Sequence, residues 1–207
     1  MTHTEIIWLA SWPRSGNTFL RTILWQCFGL RSTSIYPTDV AENDKLADYV
    51  GHADPSQLAT SGCIPLVKTH ERQPNNYPAI YVVRNGLVAT MSLWQFYRGD
   101  IPLDAIIEGR HRFGTWASHL QPWQRENTLF LRYEDMLGDL PAVLLRISRF
   151  LEVPILKDSV PDRNAIASVD GRFVKSAQHQ KPEFPAELRQ RFVELNGAML
   201  DKTGYGV

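Results

Sequence analysis

The stretch Trp8-Leu-Ala-Ser-Trp-Pro-Arg-Ser-Gly-Asn-Thr-Phe-Leu-Arg21 constrains this chain most, because it runs from an apolar strand through a short basic loop straight into an amphipathic helix. Ile6 to Leu9 suit a strand covered on both faces, and Phe19, Leu20, Ile23, Leu24, Cys27 and Phe28 recur with helical spacing. Between them lies Pro13-Arg14-Ser15-Gly16-Asn17-Thr18. Pro13 fixes the chain's direction and Gly16 lets backbone approach a ligand closely. The first N–H groups of a helix have no partners within it, so they face the loop's mouth and favour an anion such as phosphate. The same sequence of strand, basic tip and helix start can also serve structure alone.

The pattern Gly-x-x-x-x-Gly-Lys-Ser/Thr of nucleoside-triphosphate enzymes is absent, and with it the lysine and the magnesium-holding hydroxyl at their usual spacing. Any phosphate loop here is of another kind.

At 207 residues the chain suits one core, and one domain over residues 1–207 is expected. Lysine plus arginine balance aspartate plus glutamate at 22 each, so no overall field draws a polyanion and nucleic-acid binding is not expected. Cys27 and Cys63 are too few for a disulfide framework and lack metal-ligand spacing, which points to a reduced, cytoplasmic chain with no metal site. No basic-then-apolar leader precedes the first strand, and no apolar run approaches the roughly 20 residues that cross a bilayer, so neither export nor membrane insertion is expected.

Residues 31–65 read as polar and turn-rich, with Asp39, Glu42, Asp44 and Asp48 in a segment that suits a short helix over the site. Residues 64–70 give a second strand, ending in Lys68 and His70 on one face. Residues 79–83 are a third, unbroken apolar strand that belongs deep in a parallel sheet, followed at once by Arg84. Asn85 is placed to cap the next helix. Two further helices are expected within residues 100–124, and a fourth strand over residues 128–132, with Tyr133 to Asp135 starting the turn out of it. Residues 140–151 and the stretch from Leu188 to Lys202 carry helical periodicity, and residues 154–181 between them are irregular. This alternation predicts a three-layer α/β fold, P-loop-like, with a mainly parallel central sheet and its ligand crevice at the carboxyl ends of the strands.

Arg14, Lys68, His70, Arg84 and Tyr133 all end strands or begin loops on that edge. Singly, each has a plain explanation, since a histidine at a strand end is more often structural than basic and an arginine after a strand is usually a surface ion pair. Their convergence is the functional signal.

With these residues identified, Pro-Arg-Ser-Gly-Asn-Thr-Phe (13–19) resembles the 5′-phosphosulfate loop of sulfotransferases, usually Pro-Lys-Ser-Gly-Thr-Thr-Trp. Arg14 replaces the lysine, keeping the charge and adding a planar fork of donors, and Phe19 replaces the tryptophan with a smaller aromatic face. Val-Lys-Thr-His70 is similar to the family strand whose histidine is the catalytic base and whose lysine contacts the transferring group. Arg84-Asn-Gly-Leu-Val-Ala-Thr-Met-Ser92 resembles the 3′-phosphate segment Arg-Asn-Pro-x-Asp-x-x-x-Ser, with arginine and serine in register. Gly86 and Val88 stand where proline and aspartate are usual. Leu131-Arg-Tyr-Glu-Asp135 is similar to the strand end whose tyrosine, here Tyr133, lies near the adenine. Phe173-Val-Lys175-Ser176 is a degraded version of Phe-x-Arg-Lys-Gly, which puts Lys175 among the donor-binding residues. Within the superfamily, Ala-Ser-Trp-Pro-Arg-Ser-Gly-Asn-Thr resembles the small bacterial enzymes that sulfate natural products.

The resemblance implies a sulfotransferase that uses 3′-phosphoadenosine 5′-phosphosulfate and passes a sulfuryl group to a hydroxyl or amine of a small-molecule acceptor. His70, Lys68 and Arg14 would be catalytic, and Arg14, Ser15, Gly16, Asn17, Thr18, Phe19, Arg84, Ser92, Tyr133 and Lys175 would hold the donor. The rival readings are a nucleotide-dependent P-loop kinase, which the missing Walker lysine disfavours, and a non-catalytic nucleotide-binding module, which would make His70 incidental. For the acceptor pocket, Trp94, Phe96, Tyr97, Trp116 and Trp123 offer aromatic area that could equally be core. The Lys-x-x-x-Thr-Val dimer motif of eukaryotic cytosolic relatives has no counterpart, so nothing in the sequence assigns an oligomeric state.

Overall fold

A computed structural model describes residues 6–36, 44–55, 65–72, 75–161, 164, 168 and 183–206. Five strands, β1 (Ile7–Ala10), β2 (Ser32–Ser34), β3 (Leu66–Thr69), β4 (Ala79–Val83) and β5 (Thr128–Arg132), form one sheet in the order β2-β3-β1-β4-β5. Every pairing in it is parallel. Around it lie α1 (Asn17–Phe28), α2 (Asp44–Val50), α3 (Gly86–Phe96), α4 (Leu103–Ile107), α5 (Trp116–Leu120), α6 (Tyr133–Gly138), α7 (Leu140–Leu151) and α8 (Ala186–Lys202). A 3-10 turn, Gln121–Trp123, prolongs α5.

The period-2 geometry of the strands divides the apolar residues into two cores. Trp8, Ala10, Ala79, Tyr81 and Val83 face one side with Leu87, Ile106, Trp116, Leu120, Trp123 and Phe192. Leu9, Leu66, Ile80, Val82 and Leu131 face the other with Leu20, Ile23, Leu24, Val143, Leu144 and Ile147. Helices thus cover both faces, which is the expected three-layer α/β architecture.

β2 is a departure from the sequence reading, which expected turns and one short helix, but no strand, between α1 and the strand over residues 64–70. Its Ser-Thr-Ser carries no apolar signal, yet Ser32 and Thr33 are buried. A buried arginine on α1 satisfies Ser32: Arg21 Nε donates to Ser32 Oγ at 2.8 Å, and its Nη2 lies 3.1 Å from His52 Nδ1. Tyr133 also differs, opening α6 where a turn was expected. Lys175 and the rest of 169–182 lie outside the described residues, as does Cys63. Among the described residues no helix is long and apolar enough to cross a membrane.

Candidate active site

Strand register brings the site together. Ala10 pairs with Thr69 on one side and Tyr81 on the other, and Val83 pairs with Arg132, so the strands end almost level. Ser11, His70, Arg84 and Tyr133 therefore leave the sheet along one edge, on both sides of the central strand, where open α/β sheets bind their ligands.

The loop after β1 is held by its own polar groups. Ser15 N donates to Trp12 O at 3.3 Å, and Asn17 Nδ2 ties the start of α1 to Leu9 O at 2.8 Å and Ser11 Oγ at 3.4 Å. Thr18 O accepts from Thr22 Oγ1 at 3.1 Å, one turn along the helix. The backbone is left-handed at Arg14, with φ 65°, and at Gly16, with φ 107°. Gly16 is required twice over, since a Cβ there would also sit 2.3 Å from Cδ2 of Tyr133. No side chain caps α1, so its leading amides turn toward the crevice. Ser15 Oγ and Asn17 Oδ1 are buried without a hydrogen-bond partner, unusual for buried polar atoms and fitting for a loop that binds a polar ligand.

Two arginines meet at this loop. Arg84 Nη1 donates to Arg14 O at 2.9 Å while its guanidinium lies 4.6 Å from the centre of the Tyr133 ring. Arg14 Nε donates to Ser92 Oγ at 3.3 Å, and its guanidinium lies 4.9 Å from the Phe96 ring centre. Arg84 and Ser92, expected as two jaws on one phosphate, are thus joined through Arg14, whose side chain turns toward α3. Lys68 is 4% exposed, with Nζ 5.8 Å from the Tyr36 ring centre. Phe19 meets the edge of Tyr133 at 6.4 Å, so Gly16, Phe19 and Arg84 all surround one aromatic ring.

His70 is fixed from several directions. Its Nδ1 is 2.9 Å from Ser11 O and 3.2 Å from Ser11 Oγ; the nearer carbonyl only accepts, which assigns the proton to Nδ1 and leaves Nε2 as the basic nitrogen. Its ring stacks on Tyr36 at 5.8 Å and 24°, and meets Phe113 edge-on at 6.2 Å. Lys68 and His70 both touch Tyr36, consistent with the single face that their spacing predicts. The Tyr36 hydroxyl accepts from His70 N at 2.8 Å and donates to Glu71 Oε1 at 3.0 Å; burial pushes that phenol's pKa up, so it stays protonated. Glu71 also pairs with Arg112 at 2.5 Å, and the Arg112 guanidinium spans Tyr36 and Phe113 at 5.8 and 5.7 Å.

Sequence reasoning missed Tyr36, Ser11, Phe113 and a buried string of Trp12, Tyr81 and His119. Only His119 left a signal, a polar residue on the apolar face of α5. Of the aromatics offered for the acceptor, Trp116 and Trp123 are core at 2% and 0% exposure, Trp94 and Tyr97 pack against that core, and Phe96 alone is exposed. Among the described residues no group of three or more histidine, cysteine or acidic side chains could hold a metal.

The sulfotransferase domain family matches residues 4–170. Sulfotransferase 1E1 of Cavia porcellus is 25% identical over 175 residues, covering 69% of this chain and 57% of that protein, so the chain spans less than two-thirds of that relative's length. A crystal structure of retinol dehydratase in complex with retinol and PAP superposes with a TM-score of 0.64 at 18% identity, covering 97% of this chain and 82% of the other. A mouse sulfotransferase complexed with PAP superposes with a TM-score of 0.60 at 18% identity over 96% and 84%. The family match over most of the chain, on a fold shared with these structures, makes this protein a member of the sulfotransferase family.

Proposed function

We propose that the chain transfers a sulfuryl group from 3′-phosphoadenosine 5′-phosphosulfate to a hydroxyl or amine of a small-molecule acceptor. The observation that carries this reading is the placing of two arginines at a loop that opens an uncapped helix start with an orphaned buried serine hydroxyl, beside a histidine held by Ser11 O at the foot of the same loop and a buried lysine two residues before that histidine. When bound, the donor supplies the sulfuryl group and departs as adenosine 3′,5′-bisphosphate, the PAP held by the two structural neighbours.

The residues divide the work. Ser15 Oγ and the amides of residues 16–19 bind the 5′ side, where helix dipole and donors both favour an anion. Arg84, with five N–H donors, and Ser92, whose hydroxyl proton is a donor beside the lone pair that Arg14 uses, bind the 3′-phosphate. Tyr133 and Phe19 form the aromatic wall for the adenine. Lys175 is assigned to the donor on its motif alone. Lys68 and Arg14 supply the positive charge that negative charge on sulfuryl and leaving oxygens demands in the transition state, so fixed cations suffice without a metal. His70 takes the acceptor's proton at Nε2, with Ser11 O holding the opposite side of the ring.

For the acceptor, Tyr36 and Phe113 supply aromatic area against the His70 ring, whereas Trp116 and Trp123 take the core alternative that the sequence left open. Retinol dehydratase binds retinol on the same fold, which supports an apolar small molecule here. Cys27, a free buried thiol whose pKa burial raises, agrees with a cytoplasmic setting.

The test is transfer of labelled sulfate from donor to 2-naphthol, 4-nitrophenol and an aryl amine, with wild-type protein and His70→Ala. Wild type should form labelled product. The variant should lose on the order of 10² to 10⁴ in kcat while binding adenosine 3′,5′-bisphosphate nearly as wild type. Tighter binding of ATP with magnesium than of the bisphosphate would favour a kinase, and unchanged kcat in His70→Ala would remove His70 as the base.

A further inference from the structure

We infer that His119, itself held by Tyr81 in one buried hydrogen-bonded string that starts at the loop after β1, is a positioning residue for His70; this rests on His70 being the base proposed above. His119 is fully buried on α5, three residues from the core Trp116. Its Nε2 lies 2.8 Å from His70 O and its Nδ1 lies 2.8 Å from Tyr81 Oη.

The proton positions follow from what each atom can do. His70 O only accepts, so His119 Nε2 carries the proton. A neutral imidazole then offers Nδ1 as acceptor, and the Tyr81 hydroxyl must donate to it. That leaves the Tyr81 oxygen to accept, and Trp12 N donates to it at 3.2 Å. Trp12 opens the loop after β1, and Trp12 O in turn accepts from Ser15 N. One continuous string therefore runs from the phosphate loop through β4 and α5 to the main chain of His70.

Both ionisations are fixed in the sense that the string needs. Burial pushes the His119 pKa down to about 4, keeping the imidazole neutral, and burial pushes the Tyr81 phenol up, keeping its proton. A protonated His119 would have no lone pair for Tyr81, and the string would break at that bond. His70 is then clamped on three sides: N–H by the Tyr36 hydroxyl, C=O by His119 Nε2, and Nδ1–H by Ser11 O. A buried histidine that merely filled the core would need partners, but not the main chain of the proposed base on one side and a tyrosine that reaches the loop after β1 on the other.

The experiment uses the full chain with His119→Ala, His119→Gln and Tyr81→Phe, the last keeping side-chain volume so that a folded variant is secured. Thermal unfolding confirms folding, long-range 1H–15N spectra report the His70 ring tautomer, calorimetry with adenosine 3′,5′-bisphosphate reports donor affinity, and transfer to 2-naphthol reports kcat. The expected result is that His119→Ala and Tyr81→Phe lose the single Nδ1–H form of His70. Both should lose kcat, by about ten- to a hundredfold in His119→Ala and less in Tyr81→Phe, with nucleotide Kd within about threefold of wild type. His119→Gln, whose amide can donate to His70 and accept from Tyr81, should recover most of both. A His70 spectrum unchanged in the folded variants overturns the inference, as does a kcat loss explained wholly by weaker nucleotide binding. Failure of the base itself reads differently: His70→Ala would then turn over like wild type, whatever the His119 variants do.

Discussion

Arg84 donates its Nη1 to the main-chain oxygen of Arg14, 2.9 Å away, so the arginine that ends β4 also braces the loop that follows β1. Arg14 holds a left-handed φ of 65°, costly for a residue with a Cβ, and this bond is one of the contacts that keep it there. Arg84 thus has a part in both ends of the proposed donor site.

From this comes the first prediction. Wild-type protein should prefer adenosine 3′,5′-bisphosphate over adenosine 5′-monophosphate by at least about tenfold, the contribution expected of a charge-assisted hydrogen bond. Arg84→Ala should remove most of that preference and weaken the monophosphate as well, because the Arg14 carbonyl loses its donor. Calorimetric titration of both nucleotides into both proteins checks this. A monophosphate affinity untouched by the substitution would show that the brace to Arg14 contributes nothing.

Gly16 and Tyr133 give the second. Gly16→Ala meets both a positive φ and a Cβ contact of 2.3 Å with the Tyr133 ring, whereas Gly204→Ala has φ 73° but its nearest atom, on Arg132, lies 3.5 Å away. The backbone cost is about 1–2 kcal/mol in either case. Gly204→Ala should therefore lower Tm by only a few degrees, at about 2–4 °C per kcal/mol for a domain of this size. Gly16→Ala should lower it further and also weaken binding of adenosine 3′,5′-bisphosphate by more than about tenfold, since the ring must move out of the site. Equal Tm values for the two variants would mean that Tyr133 does not press on Gly16.

His119 gives a pH dependence. Its folded pKa of about 4 lies below the ordinary 6.5, so between these values the unfolded chain binds a proton that the folded chain refuses. Stability must then fall as pH drops from about 6.5 toward 4, by up to on the order of 3 kcal/mol, and this loss is complete below about pH 4. His111, also pushed down by burial, acts with the same sign in every variant that retains it. Urea unfolding at pH 7.5, 6, 5 and 4.5 should show a steeper decline for wild type than for His119→Gln. Parallel curves would mean that His119 is not held neutral by the fold.

How much of this was legible in the sequence depended on which periodicity each segment obeys. β4 and β5 were readable to the residue, because Ala79–Val83 is an unbroken apolar run and Thr128–Arg132 is bounded by polar turns. β2 was not, since its buried Ser32 is satisfied by Arg21, a residue that ordinarily signals surface. The backbone positions of Arg14, Lys68, His70, Arg84 and Tyr133 followed from strand ends, but their side-chain partners did not. Nothing in the spacing of Arg14 and Ser92 says that the two meet, and the clamp on His70 draws on Tyr36, Ser11 and His119 from three separate segments. Trp116 and Trp123 offered aromatic area in the sequence, and only the packing of α5 and α8 against the sheet shows that it is core.

The last prediction separates two ways in which Ser92 can serve the 3′-phosphate. Its Oγ accepts from Arg14 Nε at 3.3 Å, so Ser92 aims the arginine toward α3 whatever else its hydroxyl proton does. Lysine at position 14 keeps the charge and the reach but has no donor at the Nε position and no fork. Arg14→Lys should thus retain transfer within about tenfold of wild type, while Arg14→Ala should weaken donor binding and slow transfer together. Ser92→Ala in the wild-type background should weaken adenosine 3′,5′-bisphosphate, and in the Arg14→Lys background it should weaken it less, with a coupling between the two sites on the order of 1 kcal/mol. Calorimetry on the four proteins of the cycle measures that coupling. A Ser92→Ala penalty identical in both backgrounds would mean that Ser92 meets the phosphate independently of Arg14, and a loss in Arg14→Lys as large as in Arg14→Ala would mean that the guanidinium is held at Ser92 and Phe96 for structure and not for the donor.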